Sequence, residues 1–98
     1  MKPCKRVEIV IEEALSGRMA SRLEELGAPG YTLMPRARGR GDRGVRRGDD
    51  PTGTLTNCDF SMACDADETL QQTVEGVRSL LSRSGGICLV SEALWVRH

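Results

Sequence analysis

The hydrophobic pattern of this chain switches twice from the period of a strand to the period of a helix, and this feature most constrains the fold. Residues 5–11 alternate as a half-buried strand does, with Val7, Ile9 and Ile11 on one side. In residues 12–26 the apolar side chains recur at helical spacing instead. The same succession of strand and helix returns in the second half of the chain. The pattern therefore predicts two strand–helix units.

Further strands are predicted at residues 31–37, 56–64 and 87–96. The strand over residues 56–64 has the clearest alternation, because apolar residues occupy every second position from Cys58 to Cys64. The last strand is expected to bend near Ser91 and Glu92. Together with the two helices, these strands give the order β-α-β-β-α-β.

Glycine and acidic residues mark the ends of the helices. Gly27 is expected to end the first helix, and Gly85 followed by Gly86 to end the second. Asp65 and Glu68 have the spacing of a capping box at the start of the second helix.

The order β-α-β-β-α-β predicts an α+β ferredoxin-like fold, formed by residues 1–98 as one domain. Right-handed crossovers place both helices on one face of a four-stranded sheet and leave the other face open. Val10 and Leu33 are expected on that open face. A chain of 98 residues buries little surface alone, so the open face favours a homo-oligomer.

Composition excludes several classes of protein. Lys+Arg and Asp+Glu number 14 each, and this balance of charge argues against general adhesion to nucleic acid or to a membrane. Membrane insertion is not expected either, because the sequence lacks a long apolar run. The N-terminus leads directly into a charged strand pattern without signal-like character, so a cytoplasmic location is expected. One histidine and four scattered cysteines predict no metal site, and the cysteines are interpreted as small buried residues.

A glycine- and arginine-rich segment separates the second and third predicted strands. Residues 36–55 are far longer than a hairpin requires, and residues 36–47 contain six arginines against one aspartate. Glycine frees backbone amides to turn toward an anion, and guanidinium groups bind phosphate or carboxylate in a bidentate manner. Two interpretations stay open: an anion-binding loop, or a solvated segment whose glycines prevent regular structure.

These features resemble the PII signalling superfamily, and most closely its PII-like members associated with carboxysomes and bicarbonate transport. The resemblance rests on GYTLM at residues 30–34, GRGDRGVR at residues 39–46 and GICLVSEAL at residues 86–94. It covers nearly the whole chain. It implies that residues 38–55 form the long T-loop and residues 83–88 the B-loop of that family.

The resemblance further implies a homotrimer whose subunit clefts bind ADP or AMP, with bicarbonate as a second ligand. Carried over by position, the nucleotide site comprises Gly41, Asp42, Arg43, Gly44, Arg46, Cys64, Gly85, Gly86 and Ile87. Arg40, Arg43 and Arg46 are the groups implied for bicarbonate, and Arg97 matches a phosphate-contacting arginine of the wider family.

The implied function is regulatory and non-catalytic: ligands change the order of the T-loop and so control a partner, such as a bicarbonate transporter or a carboxysome component. Such a protein is expected in the cytoplasm, at a carboxysome or recruited to a membrane transporter. Gly86 stands where nitrogen-sensing members carry a phosphate-binding lysine, and the T-loop lacks the tyrosine that those members modify. Both departures argue against a nitrogen switch.

Two other functions are compatible with this topology. An RNA-binding module could act through the arginine-rich loop, although base stacking needs aromatic residues on the central strands and only Phe60 is available there. An acylphosphatase-like enzyme needs an anion-binding loop after the first strand, where this chain carries Glu12 and Glu13. Catalytic residues are therefore not expected, although slow nucleotide hydrolysis is compatible with the sequence.

Overall fold

The computed structural model describes residues 1–37, 40–41, 44–45 and 56–96. In chain order its elements are β1 (Lys2–Glu12), a 3-10 turn (Glu13–Leu15), α1 (Ser16–Glu25), β2 (Tyr31–Ala37), β3 (Arg40–Gly41), β4 (Gly44–Val45), β5 (Asn57–Cys64), α2 (Asp67–Ser84) and β6 (Ile87–Trp95).

The four long strands form one antiparallel sheet in the order β2-β5-β1-β6. Both crossovers, through α1 and through α2, connect strands that are not neighbours in the sheet. The predicted ferredoxin-like α+β fold is therefore confirmed.

One face of the sheet, here called the covered face, packs against α1 and α2. The predicted alternation is confirmed there, because Val7, Ile9 and Ile11 lie opposite Met62, Phe60 and Cys58 in the β1–β5 register. All six side chains are at most 5% exposed. The helices complete this core with the buried side chains of Met19, Leu23, Val77 and Leu80.

The opposite face, here called the open face, has no element of the described chain packed against it. Antiparallel register places directly opposed residues on the same side of a sheet. Met34, Asp59, Val10 and Ile87 therefore form one row across the four strands of the open face. The placement of Val10 was predicted, but that of Leu33 was wrong: Leu33 lies opposite Phe60 and belongs to the covered face.

The first helix begins later than predicted. Glu12 still pairs with Asn57 as the last residue of β1, and a 3-10 turn over Glu13–Leu15 precedes α1 at Ser16. The backbone N–H of Glu13 donates to the carbonyl of Thr56 at 2.7 Å, which holds the chain close to the sheet at this point.

The predicted capping box does not form. Asp65 accepts a 2.8 Å hydrogen bond from Lys2 Nζ instead, and Ala66 is the N-cap of α2 without a side-chain bond. Asp67 and Glu68 still occupy the first turn, where their charges interact favourably with the helix dipole.

The helix ends agree with the sequence. Gly27 and Gly85 have φ angles of 67° and 75°, the left-handed conformation that ends a helix. β6 pairs with β1 from Ile87 to Trp95 without a register shift, so the ladder is not interrupted near Ser91, where a bend is predicted.

Beyond the end of β2, the structure describes four residues of the arginine-rich segment, and these four form regular structure. Arg40 pairs with Val45 and Gly41 with Gly44, which makes a short antiparallel ladder of β3 and β4. The prediction that glycines prevent regular structure is therefore wrong for these four residues. None of the helices in the described part of the chain is long and apolar enough to cross a bilayer.

Candidate functional site

The two segments predicted to enclose a ligand converge at one end of the sheet. The end of β1 lies between the start of β5 and the start of β6, because Glu12 pairs with Asn57 and Val10 with Ile87. Ala37, where the long loop leaves β2, also pairs with Asn57. The returning end of the loop at Asn57 therefore lies about two interstrand spacings of roughly 5 Å each from the glycine turn, and the departing end at Ala37 lies about three such spacings from it.

The returning end of the loop is fixed to this edge by Glu13. The carboxylate of Glu13 accepts a hydrogen bond from Thr56 Oγ1 at 2.8 Å, in addition to the backbone bond between the same residues. The side-chain bond is partly buried. Thr56 and Glu13 thus define where the loop re-enters the sheet, a role that their sequence positions, 43 residues apart, do not reveal.

The glycine turn between α2 and β6 is organised by Ser84. The N–H of Gly85 donates to the carbonyl of Leu81 at 2.9 Å, and Ser84 Oγ donates to the same carbonyl at 3.3 Å. Ser84 Oγ in turn accepts the N–H of Gly86 at 3.1 Å. These bonds hold the two glycines in a fixed turn directly before Ile87.

Close packing explains why residue 86 is a glycine. A Cβ at this position would lie 2.4 Å from Ile11 Cγ2 and 2.7 Å from the carbonyl oxygen of Val10. The backbone of the turn therefore contacts the end of β1 at a distance that no side chain permits. This contact brings the glycine turn and the end of β1 together as one rigid edge.

The structure places part of the predicted nucleotide site on this edge. Gly85, Gly86 and Ile87 lie here, and Ile87 is half exposed. Arg40, Gly41 and Gly44 belong to the β3–β4 ladder between the loop's two ends. Asp42, Arg43, Arg46 and Arg97 lie outside the described residues.

Cys64 is not brought to this edge. It pairs with Lys5 at the far end of β5, seven residues from Asn57, or roughly 24 Å along a strand. Its side chain is 2% exposed within the covered face. Within one chain Cys64 therefore belongs to the core, and its assignment to the nucleotide site stays a prediction that requires a neighbouring copy.

The surroundings of three of the four cysteines disfavour the thiolate form. All four cysteines are free, and Cys4, Cys58 and Cys64 are buried as predicted. Burial raises the pKa of the Cys58, Cys64 and Cys88 thiols, and the Glu13 carboxylate raises that of Cys58 further. Reactive or metal-binding thiolates need the opposite shift, so these residues act as apolar side chains.

A groove that sequence reasoning missed lies between α1 and the end of α2. Its volume is about 500 Å³, and Arg18, Arg22 and Arg83 are among its lining residues. Arg18 and Arg22 lie one turn apart on α1, whereas Arg83 is brought close to them by the packing of the two helices. The groove carries positive charge and lies on the helix layer of the fold.

The open face does not have the chemistry of an RNA-binding sheet. Phe60, the one aromatic residue that the central strands offer for base stacking, is fully buried on the covered face. On the two central strands the open face carries polar and acidic residues instead, among them Glu8, Asp59 and Ser61. Carboxylates at these positions repel a phosphate backbone.

Comparison with known proteins gives a consistent result. The sequence matches the family profile described as nitrogen regulatory protein P-II over residues 4–98. No curated protein matches the chain.

Several solved structures share its fold. CPII, a nitrogen regulatory PII-like protein from Thiomonas intermedia K12 solved with ADP, AMP and bicarbonate, superposes with a TM-score of 0.79 at 22% identity, covering 97% of this chain and 90% of CPII. The apo form of CPII gives a TM-score of 0.76 at 22% identity over 98% of this chain and 95% of that one. A PII-like signalling protein from Thermus thermophilus gives 0.74 at 29% identity, covering 98% and 92%.

Proposed function

Because the chain belongs to the PII signalling family, we propose that it binds ADP or AMP at the edge formed by the loop ends and the glycine turn, with bicarbonate as a second ligand. Proteins of this family are non-catalytic signalling proteins that bind adenine nucleotides and form trimers. The observation that carries the proposal is the convergence of both loop ends with the close-packed turn at Gly86.

The proposed nucleotide site has two sides. The loop side comprises Gly41, Asp42, Arg43, Gly44 and Arg46, and the turn side comprises Gly85, Gly86 and Ile87. Backbone amides freed by glycine and guanidinium groups suit the phosphates of a nucleotide. Cys64 of a neighbouring copy is proposed to complete the site near the base.

Bicarbonate is proposed because of the similarity to CPII, which was solved with ADP and bicarbonate. Arg40, Arg43 and Arg46 are the proposed ligands of this second anion. When two anions share arginines that neither can order alone, each lowers the ordering cost of the other, so the two sites are coupled positively.

The proposed signal is a change in the conformation of residues 38–55. Ordering one residue costs about 1–2 kcal/mol of backbone entropy, whereas a charge-assisted hydrogen bond contributes about 1.5–3 kcal/mol. A nucleotide can therefore fix only the part of the loop next to it. The remainder is proposed to bind a protein partner, such as a bicarbonate transporter or a carboxysome component, in the cytoplasm.

Calorimetric titration with ADP, with and without bicarbonate, tests this proposal. We expect bicarbonate to tighten ADP binding by about fivefold or more, the lower end of usual coupling between sites. Arg43→Ala should abolish the coupling. Arg78→Ala is the matched control, because Arg78 pairs with Glu75 on the exposed side of α2. Equal ADP affinities with and without bicarbonate would remove the second ligand, and absence of ADP binding would remove the nucleotide site.

Thr56→Val tests whether the fixed loop end contributes. The substitution keeps the shape of the side chain and removes the hydrogen bond to Glu13, so we expect weaker ADP binding by about three- to tenfold. Thr69→Val, on α2, is the control, because it makes the same substitution away from the loop ends and the open face. Unchanged affinity in Thr56→Val would show that the loop end does not position the ligand.

A further inference from the structure

Two acidic side chains are neighbours on the open face of the sheet. Glu8 lies opposite Ser61 and Asp59 lies opposite Val10, so the two carboxyl groups occupy diagonal positions of adjacent strands on the same face. Two carboxylates at this separation repel each other unless one carries a proton. Repulsion between these two carboxyl groups on the open face does not help the single chain to fold.

The pair is already partly removed from water. Asp59 Oδ1 is buried and has no hydrogen-bond partner in the described structure. The pKa of Asp59 is raised to about 6, and burial is the largest cause. A hydrogen bond with Glu8 and repulsion from its charge also raise this pKa, whereas the charge of Arg6 lowers it. Among the described side chains that share this face, β1 contributes the charged residues Arg6 and Glu12, whereas β2 and β6 contribute uncharged ones opposite the pair: Thr32, Met34, Ile87 and Leu89.

Apolar side chains surround the pair and lack a partner. Met34, Ile87 and Leu89 share its two rows and are 61%, 49% and 54% exposed. Exposed apolar side chains beside half-buried carboxyl groups are typical of an interface rather than of a solvated face. The family forms trimers, so a second copy of this chain is the occupant that fits.

We propose that Glu8 and Asp59 share one proton within the contact between copies, which makes assembly of this protein depend on pH. A neighbouring copy that covers the pair excludes more water and disfavours two ionised carboxylates more strongly. The assembled state then holds more protons than the separate chain.

The sign of the dependence follows from proton uptake. A state that binds more protons is favoured as the pH falls. The separate chain loses the shared proton near pH 6, and the assembly retains it to higher pH. Assembly should therefore weaken as the pH rises from about 6 to 8. This inference depends on trimer formation and not on nucleotide binding, so failure of the titrations with ADP leaves it intact.

Subunit exchange measures this dependence even when assembly is tight. Unlabelled and ¹⁵N-labelled protein are mixed at about pH 6, 7 and 8 without nucleotide, and mixed trimers are followed by native mass spectrometry. We expect exchange to be about tenfold faster or more at the highest pH than at the lowest, since one unit of pKa shift corresponds to a factor of ten.

Two variants and one control decide the origin of the effect. Asp59→Asn should exchange slowly at each pH, because the amide keeps the shape of the side chain without a charge. Glu8→Gln removes the repulsion but leaves Asp59 buried, so it should weaken the pH dependence without abolishing it, which provides a second variant if Asp59→Asn does not fold. Glu24→Gln, on the exposed surface of α1, should behave like the wild type.

Three results would overturn the proposal. The first is a rate of subunit exchange in the wild type that does not vary with pH. A pH dependence that is unchanged in both Asp59→Asn and Glu8→Gln is the second. Faster exchange at the lowest pH than at the highest is the third, because it would mean that the carboxylates bind arginines of the neighbouring copy in ionised form.

Discussion

The two faces of the sheet carry the same alternation but are completed in different ways. On the covered face, Phe60 packs 5.3 Å from the ring of Tyr31 and is fully buried beneath the helices. On the open face, Leu89 is 54% exposed, although its neighbour Cys88 on the same strand packs against the core. The covered face is completed by the chain itself. The open face is left uncovered by the described chain and is proposed to be completed by a second copy, and this difference separates folding from assembly.

The largest expected effect comes from truncating one apolar side chain on each face to alanine. Phe60→Ala should lower the free energy of unfolding by about 3–5 kcal/mol, because it leaves a cavity that the helices cannot fill. Leu89→Ala should change the stability of the single chain by less than about 1 kcal/mol and weaken assembly instead.

Urea denaturation at several protein concentrations separates the two contributions, because only assembly depends on concentration. The loss in Phe60→Ala should be the same at every concentration, and the loss in Leu89→Ala should grow at concentrations where the wild type is assembled. A concentration-independent loss in Leu89→Ala would mean that the open face contributes to folding rather than to assembly.

A smaller effect is expected at the glycine turn, where the covered face meets the candidate site. Gly86→Ala should cost about 1–3 kcal/mol, because its Cβ would contact the carbonyl oxygen of Val10 at 2.7 Å and the backbone cannot yield without moving β1. Gly30→Ala is the matched control, since a Cβ there would meet no atom within 4 Å. Thermal denaturation of both variants provides the measurement, and equal stabilities would contradict the close approach of the turn to β1.

The smallest effect is expected at the exposed ion pair between Lys2 and Asp65. Lys2 lowers the pKa of the Asp65 carboxyl through a hydrogen bond and its charge, so the pair stabilises the fold above the ordinary pKa of aspartate and less as the pH falls through the lowered value. Both groups are exposed, and salt screens such pairs.

Lys2→Met should therefore change the melting temperature slightly at low ionic strength and not at all at high ionic strength. Differential scanning calorimetry at about pH 7 and pH 3 checks this, and the small difference should shrink at the lower pH. A large loss at high ionic strength would show that Lys2 contributes through packing rather than charge.

The parts of the fold that could be predicted from sequence are those decided by neighbours along the chain. The alternation of β5 and the glycines at the helix ends act within a few residues, and the structure agrees with both. The prediction of Asp65 as a capping residue was wrong: its carboxylate accepts a hydrogen bond from Lys2, 63 positions away in the chain, and Ala66 is the N-cap. Leu33 was placed on the wrong face because the register of β2 is set by its pairing with β5 and not by its own pattern.

The same reason explains what could be predicted of the candidate site. Gly85 and Gly86 are adjacent in sequence, and the turn that they form was predicted from them, whereas the role of Ile87 in the site is implied only by the family resemblance. The bond between Thr56 and Glu13 and the neighbouring carboxyl groups of Glu8 and Asp59 join residues far apart in sequence, so they depend on strand register. Sequence gives no local signal for either pair.

The central claim is that nucleotide binds where the loop ends meet the glycine turn, and a crystal structure of the protein grown with ADP tests it most directly. We predict a trimer with ADP at each of its equivalent sites, its phosphates contacted by the backbone of Gly86 and by arginines of residues 40–46. A single chain in the crystal and in solution, or a trimer with ADP bound elsewhere, would contradict the account.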